Sequence, residues 1–259
     1  TSTPESVRLL SSGLDFWVSI HRNEFYISEV RKGATVAKQI KPGDKILAFN
    51  GVPIEEAAQK FIGKFVDAND PAVLLHAVNI LLGGDYKNAR HITIKRNNTV
   101  LKLNLGISEF PSSNNALLFS ELRKDNVGYI RIENSLGNLD LVEVFDTALD
   151  QLMETKALIL DLRNTSSGGD SQVAKPILGR FVSKPTPYQK HYQVASNKKW
   201  TETIAPRGQT YTKKVYVLVN RWTGSMGEGF TIGMDAFGNT EVIGTKMTGL
   251  LGANYTVQL

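Results

Sequence analysis

Val215-Tyr216-Val217-Leu218-Val219-Asn220-Arg221-Trp222-Thr223-Gly224-Ser225-Met226-Gly227-Glu228-Gly229-Phe230 is the stretch whose reading decides the fold. Five apolar, largely β-branched residues read as a strand buried within a parallel sheet. A short polar turn follows, and helical character then runs from Met226 to Phe237. A strand that feeds a helix is the grammar of an α/β layer. The turn sets Ser225 between small residues at a helix start, where N–H groups and the helix dipole favour an oxyanion.

A second junction of the same kind lies upstream. Ala157-Leu158-Ile159-Leu160-Asp161-Leu162 is a buried strand, and Arg163-Asn164-Thr165-Ser166-Ser167-Gly168-Gly169-Asp170 leads from it into a helix at Val173 to Phe181. Paired glycines allow positive φ and expose backbone N–H groups to a bound group. Serine hydrolysis needs an open hydroxyl and two donors about 3 Å from the developing oxyanion, which two adjacent junctions supply. Each junction by itself also fits a plainer role, a Gly-Gly turn or a serine N-cap. The same alternation brings in a strand at Val127 to Ile132, a helix at Asp140 to Glu154 and a strand at Glu241 to Gly244. The polar span Ser183 to Lys213 interrupts it as a surface excursion.

Residues 1–105 follow a different, β-rich pattern. Phe16 to Ile20 and Phe25 to Val30 form a hairpin, and His91 to Arg96 with Thr99 to Leu105 form another about Asn97-Asn98. Between them, a Pro42-Gly43-Asp44 turn opens a strand that ends on Asn50-Gly51, and helices are expected near Ile54 to Phe65 and Pro71 to Leu82. Residues 106–126, with Pro111-Ser112-Ser113-Asn114-Asn115, read as a linker, and 127–259 as the second domain.

Composition narrows the function. The 259 residues are 41% hydrophobic, enough for two compact cores. The net charge of +5 comes from scattered residues, which argues against a nucleic-acid partner. No apolar run approaches the ~20 residues of a membrane-spanning helix. The absence of cysteine excludes disulfides, thiolate zinc sites and a cysteine nucleophile. The opening Thr1 and a strand pattern broken off at 254–259 give the expectation of a portion of a longer protein.

Gly43-Asp44-Lys45-Ile46-Leu47-Ala48-Phe49-Asn50-Gly51 resembles the signature of PDZ-like domains. Five segments, Gly128 to Ile132, Leu158 to Gly169, Val215 to Asn220, Ser225 to Glu228 and Val242 to Gly249, resemble the successive motifs of the C-terminal-processing (tail-specific) serine peptidases and their tricorn-like relatives. The resemblance implies a crotonase-like (ClpP-type) α/β peptidase core behind a PDZ-like domain. It also implies Ser225 as nucleophile, with oxyanion donors from Met226, Gly168 and Gly169. It calls for no cofactor and no metal. The partner is a peptide or protein substrate, a homo-oligomer is allowed, and the location is extracytoplasmic, either periplasmic or secreted.

One position departs from the pattern. The processing proteases place a lysine base directly after the last glycine of Val-Ile-Gly-x-x-x-x-Gly, where this chain has Leu250, which cannot take a proton. Lys246 lies in the same loop but off the pattern. The tricorn-like branch uses a histidine ahead of the PDZ-like unit and an acidic residue beyond the last strand, both outside Thr1–Leu259. His21, His76, His91 and His191 sit where the motif selects none of them. The expected function is therefore peptide-bond cleavage through an acyl-enzyme on Ser225, with a histidine base outside these residues. Two alternatives remain open: a non-catalytic member that binds peptide or apolar ligand, and a crotonase-like acyl-CoA enzyme.

Overall fold

A computed structural model describes residues 14–85, 87–108, 116–133 and 135–250; the strand expected at 254–259 lies outside them. The chain divides into two compact units, Thr1–Ser112 and Ser113–Leu259.

In the first unit, β1 (Phe16–His21), β2 (Glu24–Val30), β3 (Lys45–Phe49), β4 (Val52–Pro53), α1 (Ile54–Ala58), α2 (Pro71–Gly83), β5 (His91–Arg96) and β6 (Thr99–Asn104) follow in turn. The sheet runs β1-β2-β3-β5-β6, all antiparallel, with β4 paired to β3. The sequence overextends one helix: after Ala58 the chain tightens to a 3-10 turn at Gln59–Phe61. Asp70 caps α2 by accepting from Ala72 N–H at 2.8 Å, with Pro71 at the first helical position. Alternating residues of β1, β2 and β5 (Phe16, Val18, Phe25, Ile27, Ile92, Ile94) meet Ala77, Val78, Leu81 and Leu82 of α2 in one core.

The second unit holds β7 (Leu118–Arg123), β8 (Val127–Ile132), α3 (Asp140–Asp150), β9 (Ala157–Asp161), α4 (Ser171–Leu178), β10 (Thr186–Gln193), β11 (Lys198–Ile204), β12 (Lys214–Val219), α5 (Met226–Asp235) and β13 (Thr240–Gly244). The sheet order is β13-β12-β9-β8-β7; every pair is parallel except β7 with β8. Each crossover leads to the next strand in one direction, so crossovers of one hand lay all three helices on one face. Ile130, Ile132, Leu158, Leu160, Val215 and Val217 cover that face and meet Phe145, Ile177 and Phe230.

Three expectations need correction. The stretch 106–126 is not all linker, because β7 pairs with β8 as an antiparallel edge strand; its charged residues suit an exposed edge. The excursion at 183–213 contains the β10–β11 hairpin. The strands after Ala157 and Val215 are buried on one face only, since Ile159, Tyr216 and Leu218 on the other are partly exposed.

A cluster of charges anchors α3 beneath this layer. The Arg180 guanidinium, 3% exposed, donates to Asp146 at 2.6 Å and also to Asp150, and Arg207 binds both Asp146 oxygens at 2.5 and 2.7 Å. Burial by itself would raise the Asp146 carboxyl, but its bonds to Arg207 and Arg180 outweigh that and hold it below the usual carboxylate range. A depressed pKa contributes stability that is complete above the unfolded value of about 3.9 and lost as pH falls through the lower folded value. Asp146→Asn should therefore lower unfolding stability at pH 7 by about 3 kcal/mol. It should also flatten the loss of stability below about pH 4. Urea midpoints of both proteins at pH 7 and pH 3 check both effects.

Candidate active site

Three loops leave the carboxyl ends of β9, β12 and β13, the end at which open α/β sheets place their sites. Short polar bonds knit them together. Thr223 Oγ1 donates to the Leu162 carbonyl at 2.9 Å, and Gly224 N–H donates to Thr165 C=O at 3.3 Å. Thr248 N–H donates to Thr223 C=O at 3.1 Å, and Thr248 Oγ1 to Arg221 C=O at 2.6 Å.

Ser225 stands at the centre, as the N-cap of α5. Its backbone has φ 50° and ψ −113°. Among the described residues, the other non-glycine residues at positive φ are Arg22 and five asparagines, whereas this serine lies outside the left-handed helical basin. Such a conformation costs of order 1–3 kcal/mol and persists only when its surroundings enforce it. A serine on a strained strand-to-helix turn is the mark of a nucleophile elbow, which thrusts the hydroxyl out of the sheet. Ser225 is accordingly partly exposed between buried Gly224 and Gly227.

Glu228 supplies the enforcement, a role the sequence reading left unassigned although the Ser-x-x-Glu spacing is that of a capping box. Its carboxylate is 4% exposed. Oε1 accepts from Ser225 N–H at 3.0 Å and Leu250 N–H at 2.7 Å, while Oε2 accepts from Gly249 N–H at 3.1 Å. One buried side chain thus ties the elbow to the loop after β13.

The glycine loop closes on Ser225 from the other side. A methyl group on Gly168 would fall 2.7 Å from Ser225 Cβ, 3.0 Å from Oγ and 3.5 Å from Met226 N. Gly168 also has φ +71°, so both space and backbone require glycine. Gly169 bridges Leu136 in parallel register, through Leu136 N–H to Gly168 C=O at 2.7 Å and Asp170 N–H to Leu136 C=O at 2.9 Å. A parallel bridge uses the groups flanking the bridged residue, so the N–H of Gly169 takes no part in the bonds to Leu136. Met226 N–H is the first of α5 and has no intrahelical partner by position. Gly168 and Met226, two of the three residues expected as oxyanion donors, therefore lie beside Ser225, with Gly169 next in the same loop.

The strand end that launches this loop is braced. Asp161 accepts from the Tyr129 hydroxyl at 2.7 Å and from Arg163 at 2.9 and 2.6 Å, and Asn164 donates to Glu133 at 2.6 Å. Burial pushes the Tyr129 hydroxyl up to about 12, aided by its bond to Asp161. Across α5, Tyr188 of β10 packs over Gly233, and its hydroxyl reaches Met226 Sδ at 3.8 Å. No sequence motif announced that contact.

The base position holds what the sequence indicated. Leu250 gives its N–H to Glu228, and its side chain lies 3.7 Å from where a Gly224 methyl would be. Lys246 is exposed. His191 stacks on Trp200 with ring centroids 4.7 Å apart, and its Nε2 is 3.3 Å from Glu202. His21, His76 and His91 are exposed on the first unit. Among the described residues, no lysine or histidine hydrogen-bonds to Ser225, and no group of three His, Cys, Asp or Glu could hold a metal.

The clamp predicts a graded pair of variants. Glu228→Ala orphans three N–H groups and should cost about 3 kcal/mol. Glu228→Gln can keep the Oε1 bonds to Ser225 and Leu250 but sets an NH2 against Gly249 N–H, for a cost of about 1–2 kcal/mol. Urea midpoints at neutral pH give the order.

Residues 126–259 match the profile of Peptidase family S41, and residues 10–70 that of the PDZ domain. Mature CPAF shares the fold with a TM-score of 0.57 at 15% identity, over 95% of this chain and 70% of that one. The photosystem II D1 C-terminal processing protease does so with a TM-score of 0.54 at 14% identity, over 96% of this chain and 63% of that one. No curated protein sequence matches significantly. The family match spans the elbow, the glycine loop and the Glu228 clamp alike, and this chain belongs to peptidase family S41, a family of serine-type peptidases, with a PDZ domain ahead of the peptidase domain.

Proposed function

We propose that the protein cleaves peptide bonds through an acyl-enzyme on Ser225. The observation that carries this is the convergence of a strained serine, the Met226 N–H and the Gly168-Gly169 loop at one point. Ser225 Oγ attacks the scissile carbonyl while a base takes its proton. The carbonyl oxygen, now negative, is held by the N–H groups of Met226 and the glycine loop. Collapse of the tetrahedral adduct expels the amine, which receives that proton, and water then hydrolyses the ester. Preorganised donors of this kind contribute about 10²–10³ in rate apiece.

In this reading the base is a histidine outside the 259 residues, as in the tricorn-like branch, because Leu250 takes the lysine position of the processing proteases. Residues 127–259 form a crotonase-like peptidase core and 1–105 a PDZ-like domain. The family resemblance supports an extracytoplasmic peptidase acting on peptide or protein chains, with self-association as a further possibility. Leu250 is the one observation that favours a non-catalytic, ligand-binding member instead.

Hydrolysis by residues 1–259 should be weak, since a missing base removes about 10²–10⁴ in rate. Reaction of Ser225 with a fluorophosphonate in the full-length protein tests the reading. Ser225→Ala should abolish labelling, and Gly168→Ala should slow it at least about 100-fold while the fold persists. Brisk Ser225-dependent hydrolysis by residues 1–259 would instead point to a base within the chain, Lys246 or His21.

A further inference from the structure

The positive charge that reads as scattered along the sequence has one local excess. Residues 183–201 hold Lys184, Lys190, Lys198 and Lys199 and no aspartate or glutamate, a charge of +4 where the whole chain carries +5. Most of this stretch is the β10–β11 hairpin, whose register sets Lys190 opposite Thr201 and Tyr192 opposite Lys199. Side chains alternate between the faces of a strand, so these four share one face. Lys199 Nζ sits 4.9 Å from the centre of the Tyr192 ring. The ring steadies the flexible lysine stem, and both Lys190 and Lys199 are exposed.

Among the described residues, neither of these lysines forms an ion pair. The one acid of the hairpin, Glu202, is already held, with Lys175 Nζ of α4 3.3 Å from Oε1 and His191 Nε2 3.3 Å from Oε2. Beside the lysines the surface dips into a hollow of about 310 Å³, lined by Lys190, His191, Tyr192, Lys199, Trp200 and Thr201. An acidic peptide suits this surface better than nucleic acid or a membrane does. The hairpin has no arginine, the residue that grips phosphate with a planar fork. The rings on which bases would stack are taken, since His191 lies parallel to Trp200 and Lys199 covers Tyr192. The tip, Val194 to Asn197, offers Val194 as its one large apolar side chain, too little to enter a bilayer. Point-like ammoniums beside a small hollow match the carboxylates of glutamate and aspartate.

The hairpin also adjoins the serine. Tyr188 of β10 touches Met226, and a strand rises ~3.3 Å per residue, so Lys190 and Tyr192 stand within about 7 and 13 Å of Tyr188 along β10. About four residues of extended substrate span that distance. We propose that the β10–β11 hairpin is an exosite that holds an acidic segment of the substrate through Lys190 and Lys199, a few residues from the bond presented to Ser225. Its link to cleavage rests on the Ser225 reading. The binding itself does not, and is measured in full-length protein carrying Ser225→Ala.

The probe is a fluorescein-labelled octapeptide of alternating glutamate and serine, titrated by anisotropy beside its glutamine–serine counterpart. The glutamate peptide should bind at least about 10-fold more tightly, with an affinity that falls as salt rises past about 0.1 M. Lys190→Gln with Lys199→Gln should weaken it about 10-fold, whereas Lys32→Gln with Lys102→Gln, which removes the same charge from exposed sites on the first unit, should leave it unchanged. With Ser225 intact, the Lys190 and Lys199 variant should raise KM for a peptide substrate bearing such a glutamate run and leave kcat as it was. Failure of the glutamate peptide to bind, equal affinity for the two peptides, equal losses in the two double variants, or an unchanged KM would each overturn the proposal. So would tighter binding of an oligothymidine dodecamer, or of vesicles with about 30% phosphatidylserine. Lysine-dependent peptide binding without any Ser225-dependent hydrolysis would overturn the Ser225 reading and uphold the acidic-peptide site.

Discussion

The architecture of the second unit depends on the buried carboxylate of Glu228. Ser225 holds a backbone conformation that an L-residue adopts only under compulsion, and Glu228 supplies it by taking the serine's own N–H. The same carboxylate takes the N–H groups of Gly249 and Leu250, so the elbow and the last loop are fixed together. Three N–H bonds compensate the desolvation of a carboxylate that would otherwise be costly to bury. The arrangement separates two tasks. The backbone at position 250 is needed for the fold, whereas its side chain is free to change, and leucine can stand there without loosening the elbow.

Small residues follow from the same closeness. A methyl at Gly227 would lie 2.5 Å from Thr165 Oγ1, much as one at Gly168 would strike Ser225. Two loops from neighbouring strands approach to within backbone contact, which is how N–H groups from both can address one oxygen. The parallel register of β9 with β12 sets that approach, since it brings both strands to their carboxyl ends side by side.

Much of this was legible in the sequence, for definite reasons. The strands at Ala157 and Val215 announce themselves as apolar runs, and Gly168, Gly169 and Ser225 stand where those runs end. Asn97-Asn98 marks its hairpin because asparagine tolerates positive φ, as Asn97 shows at 53°. Other features carry no local signal. Strand β7 follows the polar run Pro111 to Asn115, and so it read as linker. The β10–β11 hairpin is stabilised by packing on α4 and α5, and Tyr188 finds Met226 across 38 residues. Asn79 looks like one more helix residue until the fold sets it beside Val18, 61 positions away. Glu228 was visible as a motif, but its grip on Gly249 and Leu250 depends on how three strands end.

The proposed oxyanion site of Ser225, Met226 and the glycine loop can be seen in a single experiment. A crystal structure of the protein after reaction with a phosphonate tests it most directly. A phosphorus–Oγ bond at Ser225 is expected, with the phosphoryl oxygen about 3 Å from the Met226 N–H and from an N–H of Gly168 or Gly169. A phosphoryl oxygen turned to solvent, or an adduct on another residue, would contradict it.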